Sequence, residues 1–127
     1  MENISSTILL INDEPALCRS LALMLRRSGY KVTTAANEEE ALEYLLGGEY
    51  DLVCLDLKWE ERNSKGVSSI REICQRCPGT PVLLLSDSLH EDAVLQKMGG
   101  LHYETLLKPL DPSNFIACVK ELLAVAV

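Results

Sequence analysis

Residues 51–66 read DLVCLDLKWEERNSKG, and the short apolar run Leu52 to Leu55 ends on the carboxylate of Asp56. A strand buried on both faces is a near-continuous hydrophobic run, and a charge at its end must be paired, metal-bound or set at a rim that water reaches. The stretch therefore predicts a central strand of a parallel sheet, with a partner for Asp56 supplied from elsewhere in the chain.

Outward from this strand, apolar runs and helical patterns alternate. TILLI (7–11), KVTTA (31–35), PVLLLS (81–86) and ETLLK (104–108) read as further strands. Residues 15–29 open on Pro15, carry apolar residues at helical spacing and close on Gly29, which are start and stop signals for a helix. Helices are likewise predicted over 38–48, with acids in the first turn, over 67–79, stopped by Pro78 and Gly79, over 90–100, and over 111–125, with Pro112 near the start. Five strand-helix units with no linker, repeat or low-complexity segment imply an α/β fold. The fold is read as a doubly wound five-stranded parallel sheet of flavodoxin-like order 2-1-3-4-5, with helices on both faces and right-handed crossovers.

The 127 residues fit a single domain spanning 1–127. Hydrophobic residues at 47% and charged residues at 24% suit a soluble fold rather than a disordered chain. A net charge of −7 disfavours direct nucleic-acid binding, which needs clustered Lys and Arg. No apolar run is long enough for membrane insertion and no basic n-region opens the chain, so a cytoplasmic location follows by elimination. Five scattered cysteines read as reduced thiols. Cys74 and Cys77 form CQRC at a predicted helix C-terminus, where the helix dipole disfavours a reactive thiolate, and no second ligand pair completes a zinc site.

In an open α/β sheet the working site lies beyond the carboxyl ends of the strands. There the first strand is followed by Asn12, Asp13 and Glu14, the third ends on Asp56, the fourth on Ser86 and Asp87, and the fifth on Lys108 before Pro109. The second ends on Ala35 and Ala36, an edge without chemistry. Two neighbouring carboxylates repel unless a cation intervenes, and an oxygen-only cluster of Asp13, Asp56 and a backbone carbonyl suits Mg²⁺. An ionised carboxylate can attack phosphorus in line while Mg²⁺, an ammonium and a hydroxyl share the charge of the transferring oxygens. Each residue has a blander reading. Asp13 and Asp56 could cap helices or face water, Lys108 could be a loop lysine, Ser86 alone says nothing, and Asn12 is as good a helix N-cap as a neighbour of a metal.

The order NDE, LVCLD, LLLSD and LLKP resembles the receiver domain of two-component response regulators, of which the chemotaxis regulator is the minimal form, over residues 7–125. The resemblance implies that Asp56 is the phosphoacceptor, Asp13 a direct metal ligand and Asn12 its neighbour in the outer sphere. It further implies that Lys58 lends its backbone carbonyl to the metal, that Ser86 is the switch hydroxyl, that Lys108 pairs with the phosphoryl group, and that Lys108–Pro109 is cis. The implied partners are a histidine kinase or histidine phosphotransfer protein and a downstream protein or fused output domain, with a homodimer left open. Output is expected through a surface made by the helix over 90–100, the fifth strand and the closing helix.

Four features depart from the family pattern. Glu60 stands where a Pro is usual and Gly66 comes two residues late, Thr105 replaces an aromatic, Asp87 replaces a small residue, and Asn12 removes one acid. The reading is thus a stand-alone or excised receiver, a phosphorylated switch rather than a metabolic enzyme. The alternative is a pseudo-receiver that binds partners without phosphate. A phosphatase with an Asp nucleophile would carry a second Asp two residues on, where this chain has Lys58.

Overall fold

The computed structural model describes residues 6–56, 71–86 and 103–125. Five strands, β1 (Thr7–Asn12), β2 (Lys31–Ala35), β3 (Leu52–Asp56), β4 (Val82–Ser86) and β5 (Tyr103–Leu107), form one sheet. Its order is β2-β1-β3-β4-β5, that of the flavodoxin-like fold, and every pairing is parallel, as the alternation of elements predicts. Besides β4 starting at Val82 rather than Pro81 and β5 ending at Leu107 rather than Lys108, two strand bounds differ from the sequence reading. β1 runs one residue further, to Asn12, because Asn12 pairs in register with Asp56. β5 starts one residue earlier, at Tyr103, which pairs with Val82.

Alternation along the strands divides the core in two. Ile8, Leu10, Leu52, Cys54, Leu83 and Leu85 join one buried cluster with Leu21 and Leu25 of α1 (Pro15–Arg27) and with Phe115 and Val119 of the closing helix (Pro112–Val125). Leu9, Ile11, Val53, Leu55, Val82 and Leu84 join the other with Ala41 of α2 (Glu38–Gly47) and Ile73 of α3 (71–76). The three inner strands are therefore buried on both faces, which is why their sequences are continuous apolar runs rather than alternating ones.

Local chemistry sets the helix ends that frame the site. Pro15 occupies the first turn of α1, and at the other end Gly29, at φ +99°, lets its own N–H reach the Arg26 carbonyl while Tyr30 N–H donates to Leu25. Asn37 caps α2 by accepting from Glu40 N–H at 2.9 Å, and the Glu40 carboxylate accepts from Ala36 N–H at 2.8 Å. Asp111 accepts from Asn114 N–H at 3.1 Å and starts the closing helix. The predicted helix over 90–100 and residues 67–70 of the predicted 67–79 helix lie outside the described residues.

All five cysteines are free thiols. Burial pushes the Cys74 thiol up to about 11, with a smaller contribution from Cys77, and raises Cys77 as well. Cys77 Sγ donates to the Ile73 carbonyl at 3.1 Å. With so high a pKa, only about one Cys74 in a thousand is a thiolate at pH 8, and Cys54 is fully buried with its pKa raised further by the same desolvation. Iodoacetamide at pH 8 is therefore expected to leave Cys54 unmodified and Cys74 almost so in the folded protein, whereas all five thiols react in denaturant. Rapid native alkylation of Cys74, read by peptide mass, would contradict this account of the CQRC pair.

Candidate functional site

The carboxyl ends of β1, β3 and β4 bring three polar residues into an otherwise apolar layer. Asn12, Asp56 and Ser86 are each only 2% exposed. Burying such groups is costly unless they are hydrogen-bonded, so their partners determine what the site can do.

Asp56 is held at both carboxylate oxygens. Lys108 Nζ lies 2.5 Å from Oδ1, and its side chain keeps 21% of its surface in water. Asn12 donates from Nδ2 to Oδ2 at 2.9 Å. Lys108 is brought there by β5: its backbone N–H donates to the Ser86 carbonyl at 2.7 Å, tying the first residue after β5 to the last of β4. The Lys108–Pro109 peptide is cis, as the resemblance implies. The charge that ended the apolar run at Asp56 thus finds a cation from the next-but-one strand and an amide from the adjacent one.

Asn12 also accepts from Glu14 N–H through Oδ1 at 2.7 Å. It is not the helix cap: Glu14 holds that position in α1 with no side-chain cap bond, and its carbonyl accepts from Cys18 N–H. The direct contact from Asn12 to Asp56 has no local sequence signal, because it arises from strand register between residues 44 apart.

Asp13 is exposed at the same rim. With Asn12 it lines an open groove of about 520 Å³ between α1 and the end of β2, whose walls include Cys18, Arg19, Arg26 and Ala36. Among the described residues no three or more His, Cys, Asp or Glu side chains converge as a metal cluster. The two carboxylates Asp13 and Asp56 nonetheless suit Mg²⁺, which keeps several waters and takes one or two carboxylates rather than a full protein cage. Lys58, assigned a carbonyl ligand, and Asp87, Glu60 and Gly66 lie outside the described residues. Thr105 pairs with Leu84 and is half-buried, and Tyr103, two residues before it and so on the same face, packs against the second core cluster.

Comparison with known proteins points in one direction. The response regulator receiver domain profile matches residues 8–120. The transcriptional regulatory protein ZraR of Escherichia coli K12 is 34% identical over 119 residues, covering 92% of this chain and 26% of ZraR. DltR of Streptococcus agalactiae is 27% identical, covering 89% of this chain and 50% of DltR. The chain thus spans between a quarter and a half of these curated relatives. Among solved structures, the response regulator TrrA of Thermotoga maritima in complex with Mg²⁺ and BeF is 30% identical, with TM-score 0.75 over 92% of this chain and 98% of that one. The chemotaxis protein CheY4 of Vibrio cholerae superposes with TM-score 0.79 over 94% of this chain and 99% of that one, at 21% identity, a likeness of fold.

Proposed function

Since the chain belongs to the response regulator receiver domain family of two-component signalling, we propose that it accepts a phosphoryl group on Asp56 with the help of Mg²⁺ and acts as a phosphorylation-controlled switch. The observation that carries the reading is the buried Asp56 carboxylate, held by Lys108 and Asn12 at the carboxyl rim of a parallel sheet. The complex of TrrA with Mg²⁺ and BeF supports it by likeness.

In the proposed chemistry an Asp56 carboxylate oxygen bonds to the phosphorus of a phosphohistidine donor as the bond from phosphorus to imidazole nitrogen breaks. The nitrogen leaves with the electron pair and Asp56 becomes an acyl phosphate. Lys108 is already against the carboxylate and is positioned to pair with the incoming phosphoryl oxygens. Asp13 and Asp56 would hold Mg²⁺, with the Lys58 carbonyl, and Mg²⁺ when bound neutralises charge on the transferring oxygens. Ser86, at the end of β4, is the hydroxyl assigned to sense the phosphoryl group.

Thr105 and Tyr103 share the Ser86 face of the sheet by strand alternation, so the change is proposed to pass through them to the output surface expected from residues 90–100, β5 and the closing helix. The donor would be a histidine kinase or phosphotransfer protein in the cytoplasm, and the output a downstream protein or a fused domain of the kind that the longer relatives have room for. Slow hydrolysis of the acyl phosphate resets the switch, so turnover of a metabolite is no part of the role.

The test is incubation with a small acyl phosphate and Mg²⁺, followed by intact mass. A gain of one phosphoryl group is expected. Asp13→Ala should slow the gain and weaken Mg²⁺ binding by about tenfold or more, because it removes the water-facing carboxylate of the pair. Unchanged Mg²⁺ affinity on titration would remove Asp13 from the metal site. A wild-type chain that gains no phosphoryl group would favour a binding module that signals without phosphate.

A further inference from the structure

We propose that Asn12 is a positioning residue that clamps the Asp56 carboxylate through its side-chain amide, so that Mg²⁺ must compete with an internal hydrogen bond and the resting site binds the metal weakly. The inference rests on the reading of Asp56 as phosphoacceptor and Asp13 as metal ligand, and goes beyond it.

The orientation of the Asn12 amide is fixed by its neighbours. Glu14 N–H can be accepted only by an oxygen, and Asn12 Oδ1 takes it at 2.7 Å. The amide nitrogen is thereby turned to Asp56, where Nδ2 donates to Oδ2 at 2.9 Å. Asn12 is 2% exposed and lies in register with Asp56, so neither partner can swing out into water without disturbing the ends of β1 and β3.

An acid at position 12 would set a second carboxylate oxygen against Oδ2 with no proton to offer, and like charges so close call for a cation between them. The amide supplies a neutral N–H instead. With the Lys108 ammonium at Oδ1, the carboxylate is held on both oxygens by the protein's own donors. A cation shared by Asp13 and Asp56 gains less here than in a site where two acids repel, because part of its work is already done and Oδ2 has a bond to give up. Asn12 thus exchanges metal affinity for a preset acceptor geometry.

The test uses the whole chain without phosphodonor. In metal-free buffer, Asn12→Ala is expected to lower Tm at least about twice as much in the wild-type background as in an Asp56→Ala background, since the lost bond exists only in the first. A role confined to the Glu14 turn would cost the same in both. Separately, Asn12→Asp is expected to bind Mg²⁺ about tenfold tighter than wild type by calorimetry, because ligand charge sets affinity. Its Tm should be lower than wild type without metal and rise more steeply as Mg²⁺ is added.

Equal Tm losses in the two backgrounds overturn the clamp, and unchanged Mg²⁺ affinity in Asn12→Asp overturns the competition. Should Asn12→Ala not fold, Asn12→Ser, which lacks the amide donor, takes its place in the same two backgrounds. If Asn12→Asp folds only with Mg²⁺, the proposal stands. Because no phosphodonor is present, failure to label Asp56 would sink the receiver reading without touching these results.

Discussion

Asp56→Asn is expected to abolish phosphoryl incorporation from a small acyl phosphate while the domain still unfolds in one cooperative step. The amide keeps the size of the carboxylate and can still accept from Lys108 or Asn12, so the packing at the end of β3 survives. What disappears is the anionic nucleophile, and an amide oxygen forms no stable acyl phosphate. The ammonium of Lys108 loses its ion pair, but its partial contact with water keeps that cost small. Intact mass after incubation with donor and Mg²⁺ checks the first half and a urea transition the second. Incorporation at the wild-type level would show that the acceptor lies elsewhere.

Lys108→Ala is expected to destabilise the fold by about 3 kcal/mol, the lower end of what breaking a buried ion pair costs. Asp56 is almost fully buried and one of its oxygens faces the Lys108 ammonium. Removing the ammonium leaves that charge with the Asn12 amide as its opposing donor among the partners described above. The lower end applies because Lys108 reaches water, which can partly follow into the space it vacates. A urea midpoint that falls at unchanged slope would report this loss. If charge is the cause, adding Asp56→Asn to the Lys108→Ala chain should restore most of the lost stability, whereas lost packing of the lysine stem would not be recovered. A single-variant loss under about 0.5 kcal/mol would place the pair among surface ion pairs of little consequence.

How far the sequence carried each element depended on whether its determinants were local. β1, β3 and β4 were legible because burial on both faces forces continuous apolar runs, and the start of α1 and the end of α1 followed from Pro15 and Gly29. β5 was placed one residue late, since at the sheet edge its half-exposed residues leave only a weak apolar signal and Glu104 and Thr105 read as polar. The parallel pairing followed from the alternation of strands and helices, and the flavodoxin-like order placed Asp56 and Lys108 at the same rim, two strands apart.

Asn12 was the least legible residue. A helix cap and a place near a metal were equally good readings from sequence. The structure gives the cap position to Glu14 and turns the Asn12 amide onto Asp56, a contact set by the register of two strands rather than by any motif. Lys108 was ambiguous for a related reason: before a Pro, a lysine reads as solvated loop until β5 is laid beside β4. Asp13 needed no fold to be noticed, but only the structure separates its exposure from the burial of Asn12 beside it.

The central claim is that Asp56 itself carries the phosphoryl group, and chemical trapping tests it most directly. After incubation with a small acyl phosphate and Mg²⁺, borohydride reduces an aspartyl phosphate to homoserine, and peptide mass spectrometry locates the change. The account predicts homoserine at position 56 and nowhere else. Aspartate intact at position 56, with or without modification at another residue, would contradict it.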